Sequence, residues 1–181
     1  MDSLIKKSQS KPFSDQDIKT LCENKVKIVL YSKLKKYSDI DKILDPHDCC
    51  IILYETKHNY GHWCALLRQK INEKLFIEHF DSYGMKPDAE LAYVPNYYKK
   101  ELGEDTPRLT YLLAKATQNK YHGVIYNEYP LQKVKNDIST CGRWCGLRIV
   151  LKDLTLEEFI NLFKKQKFDP DWYVTALTSF V

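Results

Sequence analysis

Three consecutive strand-like runs, Cys49–Glu55, His62–Gln69 and Lys74–Asp81, are separated only by the short polar stretches Thr56–Gly61 and Lys70–Glu73. Each run mixes apolar residues in a way that suits a sheet buried on one or both faces. The polar stretches read as tight connections. The middle of the chain is therefore expected to be a sheet, and other elements must arrange themselves around it.

Val26–Tyr31 is β-branched and apolar and reads as a further strand, as does Gly123–Tyr129. Helical signals lie to either side. Ser14 followed by Asp17 resembles a capping box, with Asp in place of the usual Glu, opening a short helix through Leu21 and Glu23. Ser38–Leu44 reads as a short helix ended by Asp45-Pro46. Pro87–Asn119 turns helical, with Leu109, Leu112, Leu113 and Ala116 at helical spacing. Ser139 or Thr140 is expected to cap a helix from Cys141 to Leu151. Thr155 and Glu158 form a capping box for a helix over Thr155–Lys165, and a last helix is expected over Pro170–Leu177. The fold class is α+β, a mixed or antiparallel central sheet flanked by helices.

A length of 181 residues suits one domain, with residues 1–12 expected to be a loose leader. Hydrophobic residues at 44% and charged residues at 29% allow a core and argue against wholesale disorder. The formal net charge is +4. Its lysine pairs, Lys6-Lys7, Lys35-Lys36, Lys99-Lys100 and Lys164-Lys165, are scattered and read as solvated surface rather than a nucleic-acid stripe. The start is polar, without a signal peptide, and no stretch approaches the roughly 18 apolar residues of a membrane span. A reducing compartment is thus expected, with Cys22, Cys49, Cys50, Cys64, Cys141 and Cys145 as thiols.

Thiols can fill a core, bind metal or act as nucleophiles. Gly61-His62-Trp63 and Phe80-Asp81-Ser82 sit at the edges of the central hairpin. A turn centred on Ile71-Asn72 sets His62 directly across from Asp81; one residue further on, the two become diagonal neighbours. Either register lets imidazole and carboxylate meet. The carboxylate would fix the tautomer and steady the imidazolium. Taken alone, His62 reads more readily as an ordinary surface histidine near a strand end.

Cys141 opens a helix, where the positive end of the dipole favours a thiolate. Gly142 after it would let a substrate carbonyl approach the backbone, and the Cys141 amide could help hold an oxyanion. Without a His and carboxylate pair, Cys141 would be a buried cysteine near a helix start. Cys145 lies one turn deeper on the same face and reads as core, as do Cys49, Cys50 and Cys64. Gln132, in a polar loop, could aim its amide at an oxyanion, although a lone Gln carries no signal by itself. Zinc on Cys141, Cys145 and His62 would lack a C-x-x-C pair, so no metal and no cofactor are expected.

The order His-Trp, Asp-Ser, Gln, Cys-Gly is the reverse of papain's. It resembles the superfamily of the adenovirus maturation protease and the ubiquitin-like-protein-specific proteases. Gly61-His62-Trp63, Phe80-Asp81-Ser82-Tyr83-Gly84 and Cys141-Gly142-Arg143-Trp144 carry the likeness. Within it, Tyr126-Asn127-Glu128-Tyr129-Pro130-Leu131-Gln132 followed by Cys141-Gly142-Arg143-Trp144-Cys145-Gly146 is similar to segments of the virophage, polinton-like and large DNA virus proteases. The resemblance implies Cys141 as nucleophile, His62 as base, Asp81 as its orienter, Gln132 as oxyanion donor and Trp63 as a wall of the site. Two departures stand out: the gap from Gln132 to Cys141 is longer than usual, and Thr140 replaces the usual Asp. Asn127 and Asn136 are the alternatives to Gln132.

The resemblance further implies a monomeric cysteine endopeptidase that cuts capsid or scaffold precursors after small, Gly-containing motifs, in the virion and the host-cell cytoplasm. DNA, which helps the adenovirus relatives, would be an activator that the +4 charge permits. Rival readings are removal of ubiquitin-like modifiers, acetyl transfer on a similar triad, and a binding module without chemistry.

Overall fold

The computed structural model describes residues 2–180. Its centre is a five-stranded sheet in the order β1 (Lys27–Leu30), β2 (Cys49–Lys57), β3 (Tyr60–Ile71), β4 (Lys74–Asp81) and β5 (Gly123–Tyr126). The three long strands form the expected antiparallel meander. The short edge strands β1 and β5 each run parallel to their neighbour, so the sheet is mixed. Both edge connections return through helical segments, which is what parallel pairing requires.

Neither face of the sheet is left to solvent, which explains why the strands read as near-continuous apolar runs. On one face Ile51, Leu53, Trp63, Ala65 and Phe80 meet α2 (Asp15–Leu21), α6 (Cys141–Val150), α7 (Leu156–Lys164) and α8 (Pro170–Leu177). On the other, Ile52, Tyr54, Leu66 and Ile77 meet a 3-10 turn over Tyr31–Lys36, α3 (Asp41–Leu44) and α5 (Arg108–Asn119). The expected helical leucines, Leu109, Leu112 and Leu113, all point into this second core. The stretch before them is broken into a 3-10 turn over Ala89–Tyr93 and α4 (Asn96–Leu102) rather than one helix. Among the described residues, no helix is long and apolar enough to cross a membrane.

Helix α6 is buried on every side from Cys141 to Ile149, as a helix wedged between sheet and outer helices must be. Gly142 and Gly146 let α2 and its leading loop press against it. A Cβ on Gly146 would come within 2.6 Å of the Leu21 side chain. At the far end of α6, Arg148 forks onto Glu78 of β4 (Nε to Oε1 2.6 Å, Nη2 to Oε2 2.8 Å), with both side chains fully buried. That pair locks the helix to the sheet.

The opening residues depart from expectation. They are not a loose leader: Asp2–Gln9 forms α1, which packs on α8. Ile5 supplies a buried anchor, the Gln9 carbonyl accepts the Ser139 amide (2.7 Å), and the Ser8 carbonyl accepts Arg143 Nη2 (3.4 Å). A polar sequence hid this, because the contacts are made to α6 and α8, distant in the chain.

Candidate active site

Two hairpin turns bring the expected pair together. The β2–β3 hairpin closes at His58 and Asn59, with Asn59 left-handed at φ 55° and a register irregularity between Glu55 and Lys57. Gly61 follows where a Cβ would sit 1.7 Å from the Tyr54 carbonyl oxygen, so no side chain fits there. The β3–β4 turn is Asn72-Glu73, both at positive φ (48° and 63°), the two-residue geometry that matches strand twist. It pairs Cys64 with Asp81 and makes His62 the diagonal neighbour of Asp81, the second of the two registers.

His62 Nε2 lies 3.1 Å from Asp81 Oδ1. Asp81 is itself clamped. The Tyr83 amide donates to Oδ1 (2.7 Å) and the Cys64 thiol to Oδ2 (3.4 Å), while Asn127 bridges the Asp81 backbone N–H and C=O (3.0 and 2.6 Å). The His62 ring stacks on Tyr83, with centroids 4.7 Å apart. Cys141 lines the same cleft as the ring, with Nδ1 the imidazole nitrogen that Asp81 does not engage.

Burial opposes charge on both groups, but partners outweigh it. Desolvation pushes the imidazole pKa down, yet bonds and negative charge from Asp81 and Cys141 hold it well above its ordinary value. Desolvation would raise the Asp81 carboxyl, yet His62 and the Tyr83 amide keep it below the usual range. His79, also buried on β4, is pushed down to about 4 by desolvation, so it stays neutral near pH 7 and does not offset Asp81.

Cys141 heads α6 at Thr140, where the sequence suggested a side-chain cap. Thr140 instead donates its hydroxyl to Asp171 Oδ1 (2.5 Å). Asp171, on α8, also accepts Trp144 Nε1 (3.1 Å) and the Lys133 amide (2.8 Å). It thereby pins both the Gln132 loop and the first turn of α6. The first intrahelical bond runs from the Trp144 amide to the Thr140 carbonyl (3.0 Å), leaving the earlier amides, Cys141's included, outside the ladder.

Cys141, His62, Trp63 and Gln132 line one cleft of about 1050 Å³. Gln132 is buried, with Oε1 taking the Ser82 hydroxyl (2.7 Å) and Nε2 reaching the Tyr83 hydroxyl (3.2 Å). Asn127 is spent on the Asp81 backbone, and Asn136 is an exposed residue of the cleft rim. Gly142 has a packing reason for its size: a Cβ there would meet Phe13 at 2.9 Å and Trp63 at 3.1 Å. Trp63 is tied to the same loop, its Nε1 donating to the Phe13 carbonyl (3.3 Å). Cys145 is core, its thiol facing the Trp63 carbonyl (3.2 Å). Nitrogen, sulfur and oxygen of His62, Cys64 and Asp81 lie within 4.8 Å of one another, but these atoms already bond each other and form a hydrogen-bond network rather than a vacant ligand cage.

Three residues of this cluster went unseen in the sequence reading. Tyr83 was within the quoted motif, but its stacking could not be read from it. Asp171 and Glu90 gave no local signal. Glu90, on the 3-10 turn over Ala89–Tyr93, is buried and brings Oε1 to 3.7 Å from His62 Nε2.

No family model matches the chain. Among solved structures it is similar to the ASFV pS273R protease, with a TM-score of 0.53 at 12% identity over 95% of this chain and 68% of that one. That likeness shows the fold: a mixed five-stranded sheet flanked by helices. A weaker likeness is to the C-terminal Ulp1 protease domain in complex with Smt3, the yeast ortholog of SUMO, at a TM-score of 0.40 and 14% identity over 93% and 77% of the two chains. In sequence it is 43% identical over 169 residues to Uncharacterized protein V9 of Sputnik virophage, covering 91% of this chain and 93% of the relative. With that identity along nearly the full length of both proteins, this chain belongs to the family of the virophage protein V9.

Proposed function

We propose that this protein is a cysteine endopeptidase with Cys141 as nucleophile. One observation carries the reading: a thiol on the first turn of a buried helix lines the same cleft as an imidazole whose Nε2 faces a buried carboxylate. His62 takes the Cys141 proton on Nδ1, and the sulfur attacks the scissile carbonyl carbon. The Cys141 amide and the Gln132 side-chain amide hold the oxyanion. As the carbon–nitrogen bond breaks, His62 passes its proton to the leaving amine, leaving a thioester. Water, deprotonated by His62, then cleaves the thioester and restores the thiol. Asp81 keeps the ring oriented and steadies its positive charge throughout.

The proposed substrates are capsid or scaffold precursors, cut after small, Gly-containing motifs during virion assembly. The walls beside Cys141, Trp63 and the Phe13 loop, support small side chains next to the cut. The virophage relative supports a viral setting. Incubating the purified protein with a fluorogenic Gly-Gly peptide and with the precursor proteins of its own virus tests this. Cys141→Ala and His62→Ala should each lose at least ~10³-fold in cleavage. Unchanged cleavage by Cys141→Ala would end the proposal.

A further inference from the structure

A second carboxyl stands beside the His62–Asp81 pair, and the mechanism above leaves it unused. Glu90 is buried, and its Oε1, 3.7 Å from His62 Nε2, has no hydrogen-bond partner among the described residues. Buried carboxyl oxygens are ordinarily satisfied, so an orphan aimed at an imidazole is an unspent interaction. Its placement is enforced. Asp88, left-handed at φ 65°, anchors the 3-10 turn by exchanging bonds with the Tyr54 hydroxyl (3.2 and 3.3 Å) and accepting the Thr110 amide (2.7 Å). Those bonds tie the turn to β2 and α5 and hold Glu90 against the end of β3.

We propose that Glu90 is a positioning residue for His62, a second carboxylate whose negative charge holds the proton on the imidazole that Asp81 orients. This rests on the reading of His62 as the base. Glu90 lines the same cleft as Cys141, and its charged contact there is the imidazole, through which it acts. The titratable groups that face it are His62 and Cys64 on β3, Asp81 on β4 and Tyr83 in the turn after β4. Of these, His62 alone can be positive. Burial, opposed by His62 and reinforced by the Asp81 charge, pushes the Glu90 carboxyl up to about 7. Below that pH the neutral acid can donate its proton to Asp81 and leave one anion beside the ring. Above it, two anions face the imidazolium, which then keeps its proton further into the alkaline range.

The test follows the His62 ring by NMR, with labelled histidine, in the Cys141→Ala protein so that no thiolate contributes. Glu90→Gln should lower the midpoint of His62 deprotonation by about one pH unit, a tenfold change. It should also erase a smaller inflection in the His62 signal near pH 7. Glu90→Asp, which keeps the charge on a shorter arm, should restore part of the midpoint. A purely structural Glu90 would move neither reading in a folded protein, and coincident titrations with and without Glu90→Gln would overturn the proposal. The protease reading fails separately, on cleavage that survives Cys141→Ala. A His62 midpoint that shifts with Glu90→Gln would then stand as a property of the pair alone.

Discussion

Glu78 and Glu90 are both glutamates withdrawn from water, and the structure treats them in opposite ways. Glu78, on β4, meets Arg148 through two short bonds and also accepts Gln69 Nε2 (3.1 Å), so its charge and both oxygens are matched. Glu90 shares its surroundings with another carboxyl, Asp81, and one ionisable ring, and keeps an oxygen unpartnered. The first arrangement is closed and fixes α6 on the sheet. The second is short of positive charge, a condition that suits a site meant to hold a proton on a base. One chain thus keeps a matched acid at one end of α6 and an unmatched acid beside the other.

The same substitution at the two positions should therefore give opposite results, and the larger effect belongs to the matched pair. Glu78→Gln leaves the Arg148 guanidinium buried without its counter-charge. The expected loss is about 3–5 kcal/mol of folding stability, read by urea denaturation across neutral pH. A loss below about 1 kcal/mol, the range of a surface pair, would mean that Arg148 finds enough in the Leu151 and Leu154 carbonyls it also contacts (2.8 and 2.9 Å).

Glu90→Gln should stabilise instead, and only at higher pH. A carboxyl raised in the folded state favours folding fully below its unfolded value of 4.5, and that contribution disappears as pH rises through about 7. Wild type and variant should match at pH 4 and diverge by up to about 3 kcal/mol at pH 8.5. Denaturation curves at those two pH values decide it. A variant less stable than wild type at pH 8.5 would show that Glu90 is matched after all, and the contrast with Glu78 would collapse. Stability gained with His62 basicity lost is the exchange expected where a charged site is held under strain for function.

Legibility followed the range of the interactions. The capping boxes at Ser14/Asp17 and Thr155/Glu158 are local, and both form as read. The three-strand meander was legible because short polar connections force antiparallel neighbours. Its register was not, since both candidate turns were open. The choice fell to Asn72-Glu73, where both residues must enter positive φ, and Asn does so more readily than most. His62 and Asp81 survived this uncertainty because either register joins them. The α1 helix, the Asp171 anchor and Glu90 depend on partners far along the chain, and no periodicity or cap announces such contacts. Gly142 was read for its openness to substrate, whereas the neighbours that would have to give way to a side chain, Phe13 and Trp63, emerge only from the packing.

The smallest expected effect concerns Cys64, and it separates two thiols near one imidazole. Cys64 is fully enclosed, and burial, reinforced by the charges of Asp81 and Glu90, pushes its thiol well above the ordinary range. A thiol so held stays protonated and serves as a donor to Asp81 Oδ2, not as a nucleophile. Cys141 differs in lying on the cleft wall at the head of a helix. Cys64→Ala should therefore cost about 1 kcal/mol in stability through the lost buried atom and bond. Cleavage should fall only a few-fold, since Asp81 keeps the Tyr83 amide and His62. Cys64→Ser, which retains a donor, should recover part of that loss. Mass-spectrometric mapping of brief iodoacetamide treatment near pH 6 should find label on Cys141 and none on Cys64. Labelled Cys64, or a Cys64→Ala variant as inactive as His62→Ala, would move the nucleophile from α6 to β3 and end the assignment of Cys141.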